Sequence, residues 1–257
     1  MTHALPEAIR RHVDGQSGRA DTVGLSGAQV LMYPGAVLKI RPDSELSRRE
    51  RLMLRWLSGR CRTPEIIESV QENGQDYLLM TRMNGRMLCE DEYLDHPELL
   101  CRRLAEGMTL LHRADASSCP VRRDLDVMLA EAETRVAAGL CIPEGHDGFG
   151  PSENLLKWLL RNRPEEQLVL THGDYCLPNV LADECGVCGL IDLGDSGLAD
   201  PYVDYALGYQ SLVRNLTGMF GGPVRPVPDK RLLFGCLGIE PDWDKLQYYL
   251  LLDQLFW

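Results

Sequence analysis

Apolar residues follow two different spacings along this chain. Short apolar runs, typical of buried strands, occupy residues 36–40, 77–80 and 168–170. Apolar residues at helical spacing lie in the segments 44–56 and 122–136. The pattern therefore predicts strands and helices that alternate with polar turns, and several of the strands end directly at charged residues.

The second half contains three polar residues at a recognisable spacing. Asp174 lies in a His172-Gly173-Asp174 segment after an apolar run, Asn179 follows it by five residues, and Asp192 ends a second apolar run. In protein kinases, this order supplies an Asp beside the attacking hydroxyl, an Asn on Mg²⁺ and a second Asp on the metal. Either segment alone is common in turns. The joint spacing favours phosphoryl transfer, with His172 holding the loop through backbone hydrogen bonds.

A phosphate-binding lysine and its carboxylate partner are expected in the first third. Lys39 lies near the end of the strand run 36–40, and Glu50 lies in the helical segment 44–56. A capping role for Glu50, with Ser47 as N-cap, is the alternative. We favour the ion pair with Lys39, because apolar helical spacing begins before Ser47.

Two further segments are predicted to contact the nucleotide. The small-residue turn that contains Ser26 suits backbone contacts with phosphate. The strand end with Met80, Thr81 and Met83 suits a hinge that contacts the base. We therefore predict two units, an N-terminal lobe at 1–83 and a C-terminal lobe at 84–257, which the length of 257 residues allows.

Composition restricts the possible partners and location. The net charge of −11 argues against nucleic acid and suits a cationic substrate. No segment has eighteen uninterrupted apolar residues and no signal pattern opens the chain, so we expect a cytoplasmic protein without membrane contact, as a monomer or weak homodimer. The nine cysteines include one CxxC, Cys185 to Cys188, which we interpret as a hairpin turn rather than a zinc or redox site.

These motifs together resemble the aminoglycoside phosphotransferases, most closely the group that acts on the 3′ hydroxyl. The resemblance implies an α+β, protein-kinase-like fold with a small β-rich N-terminal lobe and a larger, mainly helical C-terminal lobe. It also implies transfer of phosphate from MgATP, or sometimes GTP, to a sugar hydroxyl of a cationic antibiotic, with Asp174 as base and Asn179 and Asp192 as metal ligands. The segments that carry it are the Lys39 strand, residues 53–57, 115–120, 172–179 and 191–200, and the tail 248–257.

The departures from the family pattern fall mainly around the expected substrate. Asp195 stands where the family usually has Arg, and Val37 stands where an aromatic residue often stacks on the base. Arg214 and Asn215 replace an acidic pair, Gln254 replaces a Glu, and Trp257 extends the tail. We expect weaker binding of polycations as a result. The residues expected to face the substrate are Asp147, Asp195, Arg214, Asn215, Asp253, Gln254 and Trp257.

Three alternatives remain open from the sequence. One is a kinase for another small hydroxylated amine or sugar, and a second is a kinase-like protein that binds nucleotide without catalysis. The third is a metal-dependent hydrolase with His172, Asp174 and Asp192 as ligands. That last reading leaves Lys39 and Glu50 without a role.

Overall fold

A computed structural model describes residues 5–20, 28–141 and 148–256. Its first part is a five-stranded antiparallel sheet with strand order β1-β2-β3-β5-β4, flanked by two helices. Its elements are α1 (Glu7–Val13), β1 (Arg19–Ala20), β2 (Gln29–Met32), β3 (Ala36–Pro42), α2 (Glu45–Leu57), β4 (Ile66–Glu72) and β5 (Gln75–Thr81).

The rest of the described chain is mainly helical and carries two small sheets, β6-β8-β9 and β7-β10. The predicted division between residues 83 and 84 falls between β5 and β6. The elements are β6 (Arg86–Met87), α3 (Asp91–Leu94), α4 (Pro97–His112), α5 (Leu125–Ala137), α6 (Ser152–Arg161), β7 (Val169–Thr171), β8 (Val180–Asp183), β9 (Gly186–Leu190), β10 (Gly197–Ala199), α7 (Tyr202–Leu216), α8 (Lys230–Leu237) and α9 (Trp243–Asp253).

The two faces of the N-terminal sheet contact different parts of the molecule. Successive side chains of a strand alternate between these faces. On β3, Leu38 belongs to a small core with Ile9 and Val13 of α1. Its neighbour Lys39 points to the opposite face, where it meets α2 and the C-terminal lobe. Alternation thus places Leu38 in the small core and directs Lys39 toward the C-terminal lobe, into the cleft between the two lobes.

Helix α2 begins at Glu45, three residues before the start that a capping role for Glu50 would require. Ser44 is its N-cap, and Ser44 and Ser47 exchange side-chain to backbone hydrogen bonds, which makes the capping box. Glu50 then falls in the second turn, on the buried side of the helix. The capping alternative is wrong, because Ser47 is already inside the helix.

Cys185 lies in the turn between β8 and β9, and Cys188 lies in β9; the two strands pair antiparallel, so the predicted hairpin is confirmed. Both cysteines are free thiols. In the described ranges, no group of three or more His, Cys, Asp or Glu side chains has metal-binding geometry. Nor does any helix of these ranges combine the length and apolar character of a membrane span.

Candidate active site

The catalytic loop begins where β7 ends. His172 is fully buried, and burial lowers the pKa of its imidazole. Its Nε2 lies 2.9 Å from the carbonyl oxygen of Ile191, and the amide of Asp174 donates to its Nδ1 at 3.3 Å. Both ring nitrogens therefore bond the backbone, and His172 fixes the Asp174 loop to the chain just before Asp192. A hydrolase that uses His172 as a metal ligand does not fit this arrangement.

Gly173 fixes how closely the two loops approach. Its φ of +80° lies in the left-handed region that favours glycine. A Cβ at this position would lie 2.0 Å from the carbonyl oxygen of Asp195. The loop that carries Asp174 and the loop that carries Asp192 are therefore in direct backbone contact.

Asp204 is a further anchor of the catalytic loop, which the sequence analysis did not single out. It is fully buried in α7, and its two carboxylate oxygens accept the amides of His172 and Gly173, each at 3.0 Å. His112 Nε2 lies 2.9 Å from the same carboxylate. The signal that could have found Asp204 is a carboxylate in an otherwise apolar turn of a helix, because a buried charge needs such partners.

Asp174 lies in the wall of a cavity and is exposed to solvent. Its pKa is raised to about 7, first because the cleft walls remove water from the carboxylate and then because Asp195 and Asp192 are nearby. The side-chain amide of Asn179 donates to Asp174 Oδ2 at 3.0 Å and opposes this shift. The pKa places Asp174 in a range suited to proton transfer near neutral pH.

The chain segments that carry Asp192 and Asn179 lie side by side. The amide of Ile191, the residue before Asp192, donates to the backbone oxygen of Asn179 at 3.0 Å. Asp192 has φ 62° and ψ 55°, an uncommon conformation for a non-glycine residue, often found at functional sites. Partial burial raises the pKa of Asp192, but the charge of Lys39 outweighs it and the net shift is downward. An ionised carboxylate beside an amide oxygen is a donor set that fits Mg²⁺.

Lys39, Glu50, Arg41 and Asp192 make up what we call the nucleotide side. Lys39 Nζ lies 3.2 Å from Glu50 Oε1 and 2.5 Å from Asp192 Oδ1. Arg41, two residues along β3, bonds the other oxygen of Glu50. Burial opposes the charge of Lys39, but Glu50 and Asp192 outweigh it and raise its pKa. The Lys39 and Glu50 pair expected from the sequence is present in the structure, and Arg41 is an additional member.

The predicted hinge lies at the mouth of the same cleft. Val37 and Met80 are cross-strand partners on β3 and β5, on the face that carries Lys39. The amide of Thr81 donates to the carbonyl of Glu65 at 2.8 Å, so this amide does not point at a nucleotide base. Met83 packs against Gly189 of β9. Base contacts by Met80 and Met83 stay a prediction, and Ser26 lies outside the described residues.

A cavity of about 440 Å³, which we call the acceptor cavity, opens beside Asp174. Asp195 and Asp253 line it as expected, and Glu131, Arg49, Arg123 and Arg135 were not expected there. The residues that line it are Leu46, Arg49, Arg123, Met128, Glu131, Arg135, Thr171, Gly173, Asp174, Asp195, Ala199, Val203, Leu207, Tyr249, Asp253 and Phe256.

Three residues expected to face the substrate are not part of this lining. Arg214, Asn215 and Gln254 are absent from the described wall of the acceptor cavity. Asn215 is buried and donates its amide to the backbone oxygen of Ser211, one turn earlier in α7. Its position on the helix turns it inward, so it does not reach the cavity. Asp147 and Trp257 lie outside the described residues.

Comparison with known proteins agrees with this geometry. The sequence profile of the phosphotransferase enzyme family matches residues 10–249, so the chain belongs to that family. An aminoglycoside 3′-phosphotransferase of Enterococcus faecalis is 34% identical over 252 residues, which cover 92% of this chain and 92% of that protein.

Two solved structures are similar over nearly the whole chain. An aminoglycoside-3′-phosphotransferase of type VIII has a TM-score of 0.76 at 29% identity, over 97% of both chains. APH(3″)-Id of Streptomyces rimosus, in complex with ADP and streptomycin, has a TM-score of 0.76 at 25% identity, over 97% of this chain and 96% of that one. The predicted family and the two-lobed kinase-like fold are confirmed, and the chain is a kinase-type phosphotransferase.

Proposed function

We propose that this protein transfers the γ-phosphoryl group of ATP to a hydroxyl of an aminoglycoside, with the 3′ hydroxyl as the expected acceptor. The observation that carries the proposal is the position of Asp174. It lies between the nucleotide side, where Lys39 and Asp192 meet, and the acceptor cavity, where the carboxylates of Asp195 and Asp253 can accept hydrogen bonds from a ligand. A phosphate donor and a cationic acceptor can thus approach Asp174 from opposite sides.

On the nucleotide side, Lys39 would bind the non-transferred phosphates while Glu50 holds its ammonium group in place. Asn179 and Asp192 would hold Mg²⁺, whose chemistry is to neutralise the charge that develops on the phosphate oxygens. Lys39 and Asp192 are in contact, so phosphates and Mg²⁺ bound here would lie beside both side chains. GTP remains an alternative donor.

On the acceptor side, Asp174 would accept a hydrogen bond from the attacking hydroxyl and later its proton. The O–P bond to the substrate forms as the bond between the γ-phosphorus and the bridging oxygen of ATP breaks, and the β-phosphate leaves with the bonding electrons. Positioning is the larger contribution of Asp174, because a loose transition state needs little proton removal early in the reaction.

The substrate class rests on charge and on the relatives. The acceptor cavity is lined by four carboxylates and three arginines, so the acids are in excess by one, and the chain is acidic overall; both features suit amino groups. The relatives reported above are aminoglycoside 3′-phosphotransferases and an aminoglycoside phosphotransferase with streptomycin. Another small hydroxylated amine or sugar is the alternative acceptor. We place the reaction in the cytoplasm, where ATP is available, and expect a monomer or weak homodimer.

The test is a coupled assay that measures release of ADP or GDP from ATP or GTP. The acceptors are kanamycin-type aminoglycosides, streptomycin, simple amino sugars and choline. Phosphorus NMR of the product then locates the modified hydroxyl. We expect turnover with kanamycin-type substrates and phosphate on the 3′ oxygen. Asp174→Asn keeps the size of the side chain and serves as the inactive control. Turnover only with amino sugars or choline would contradict the aminoglycoside assignment.

A further inference from the structure

Two arginines and two carboxylates form a square in the wall of the acceptor cavity. Arg123 Nη1 lies 2.6 Å from Glu131 Oε2, and its Nη2 lies 3.5 Å from Asp195 Oδ1. Arg49 Nη2 lies 2.9 Å from Asp195, and its Nη1 lies 3.8 Å from Glu131. Each guanidinium therefore contacts both carboxylates, and we call this group the Arg–acid square.

Burial differs within the Arg–acid square. The side chains of Glu131 and Asp195 are 37% and 34% exposed, whereas that of Arg123 is 9% exposed. The carboxylates thus form the surface that a ligand meets, and the guanidinium of Arg123 lies beneath them. The charges of the four groups cancel, so two acids that face the cavity give it no net negative charge.

The backbone holds Arg123 in this position. Its amide donates to the carbonyl of Leu198 on β10 at 2.8 Å, and its Cγ lies so close to Gly197 that a Cβ there would be 2.9 Å away. The backbone and the Cγ of Arg123 are therefore held against the strand that follows the Asp192 loop, and the two ion pairs hold its guanidinium.

We propose that Arg123 determines substrate specificity by neutralising Glu131 and Asp195, which limits the affinity of the acceptor cavity for polycations. This inference rests on the proposed function and concerns the same cavity. Charges at this range act through Coulomb attraction, which depends on the number of charges on the ligand and is screened by salt. An effect of Arg123 on substrate charge must therefore grow with the number of ammonium groups and fade in high salt.

The experiment compares variants with two acceptors that share both rings, neamine and paromamine, of which neamine carries one more amino group. Arg123→Met keeps an unbranched side chain against Gly197 and removes the charge. We expect it to lower KM for neamine about three- to tenfold at low salt, and KM for paromamine less. The decrease should shrink in about 0.5 M salt, and KM for ATP should not change.

Two control variants separate charge from structure. Arg122→Met removes the same charge from the neighbouring residue, which is exposed and pairs with Asp124 outside the cavity lining. Arg123→Lys keeps the charge and loses the planar guanidinium. Both should keep the wild-type KM for neamine. An unchanged or higher KM in folded, active Arg123→Met, or an equal decrease in Arg122→Met, would overturn the inference.

Glu131→Gln covers the case in which Arg123→Met does not fold. It leaves Arg123 with one carboxylate fewer, so KM should rise, more for neamine than for paromamine. No change in folded Glu131→Gln would also refute the role of the Arg–acid square. If wild-type protein neither binds nor phosphorylates neamine, the proposed function and this inference fall together, whereas a failure confined to the variants affects the inference alone.

Discussion

The nucleotide side and the acceptor cavity are both built from ion pairs, but they differ in the burial of their central pairs. On the nucleotide side, Lys39 and Glu50 are almost fully buried, whereas Asp192, which meets Lys39 from the C-terminal lobe, is 37% exposed. In the acceptor cavity, Asp195 and Glu131 are about one-third exposed and belong to distant segments. Buried pairs hold one fixed geometry, because a displaced charge would lack both water and partner. Half-exposed carboxylates can exchange partners with a ligand.

The difference suggests a division of tasks within one cleft. The nucleotide side suits a donor whose phosphates are the same in every reaction, and a fixed lysine is sufficient for it. The acceptor cavity suits a family of related molecules, which requires groups that adjust to the ligand. Substitutions on the two sides should therefore separate in kinetics, with changes in nucleotide binding on one side and in acceptor KM on the other.

The largest expected effect comes from the residue between the two sides. Asp174→Ala should lower turnover by roughly 10²–10⁴-fold, the contribution of a positioned acid or base, because the acceptor hydroxyl loses its hydrogen-bond partner. ATP affinity should stay close to that of the wild type, as measured by fluorescence titration with a nucleotide analogue. Retention of more than about a tenth of the wild-type turnover would contradict this assignment.

Asp192→Ala should abolish Mg²⁺-dependent nucleotide binding, because it removes a hard oxygen ligand. Calorimetric titration with ADP, with and without Mg²⁺, measures this. The matched control is Asp195→Asn, three residues later and on the acceptor side, which should retain Mg²⁺-dependent binding. Equal loss in both variants would show that the two sides are not separable.

Arg41→Met tests whether the buried pair of Lys39 and Glu50 depends on Arg41 for its position. Arg41 Nε also lies 3.8 Å from the buried carboxylate of Asp76. After the substitution Glu50 would keep Lys39 as a partner and Asp76 would keep Arg51, so the free energy of unfolding should fall by about 1–3 kcal/mol. KM for ATP should rise while KM for the acceptor stays constant. Arg48→Met, which breaks the pair between Arg48 in the first turn of α2 and Asp43 just before this helix, is the control and should leave both quantities unchanged. A higher acceptor KM in Arg41→Met would contradict the division of tasks.

The smallest effect is expected from the hairpin, which belongs to neither side. Cys185→Ser combined with Cys188→Ser should leave turnover and metal content unchanged, since both thiols are free, Cys185 lies in the turn after β8, and Cys188 lies in β9. Elemental analysis and the coupled assay measure this. Bound zinc that disappears in the double variant would refute the interpretation of the CxxC segment.

The sequence predicted the nucleotide side better than the acceptor cavity, for a physical reason. Lys39, Glu50 and Asp192 each sit on a local pattern, a strand end or a helix turn, so short stretches of sequence are informative. The Arg–acid square joins α2, the segment before α5, α5 and the Asp192 loop, and no local pattern indicates that such distant residues meet. Asn215 shows the same limit, because the resemblance placed it near the substrate, whereas its burial depends on the rotation of α7 about its axis.

The contact between Gly173 and the carbonyl oxygen of Asp195 has a consequence for laboratory evolution of this protein. Any side chain at position 173 would push against the backbone of residue 195, so the two loops accept change only as a pair. Libraries that randomise residue 195 alter a side chain and leave that backbone contact intact. Insertions or deletions in either loop break it. New substrate ranges should therefore arise by point substitution at residues such as 195, and variants that change loop length should be rare among active clones.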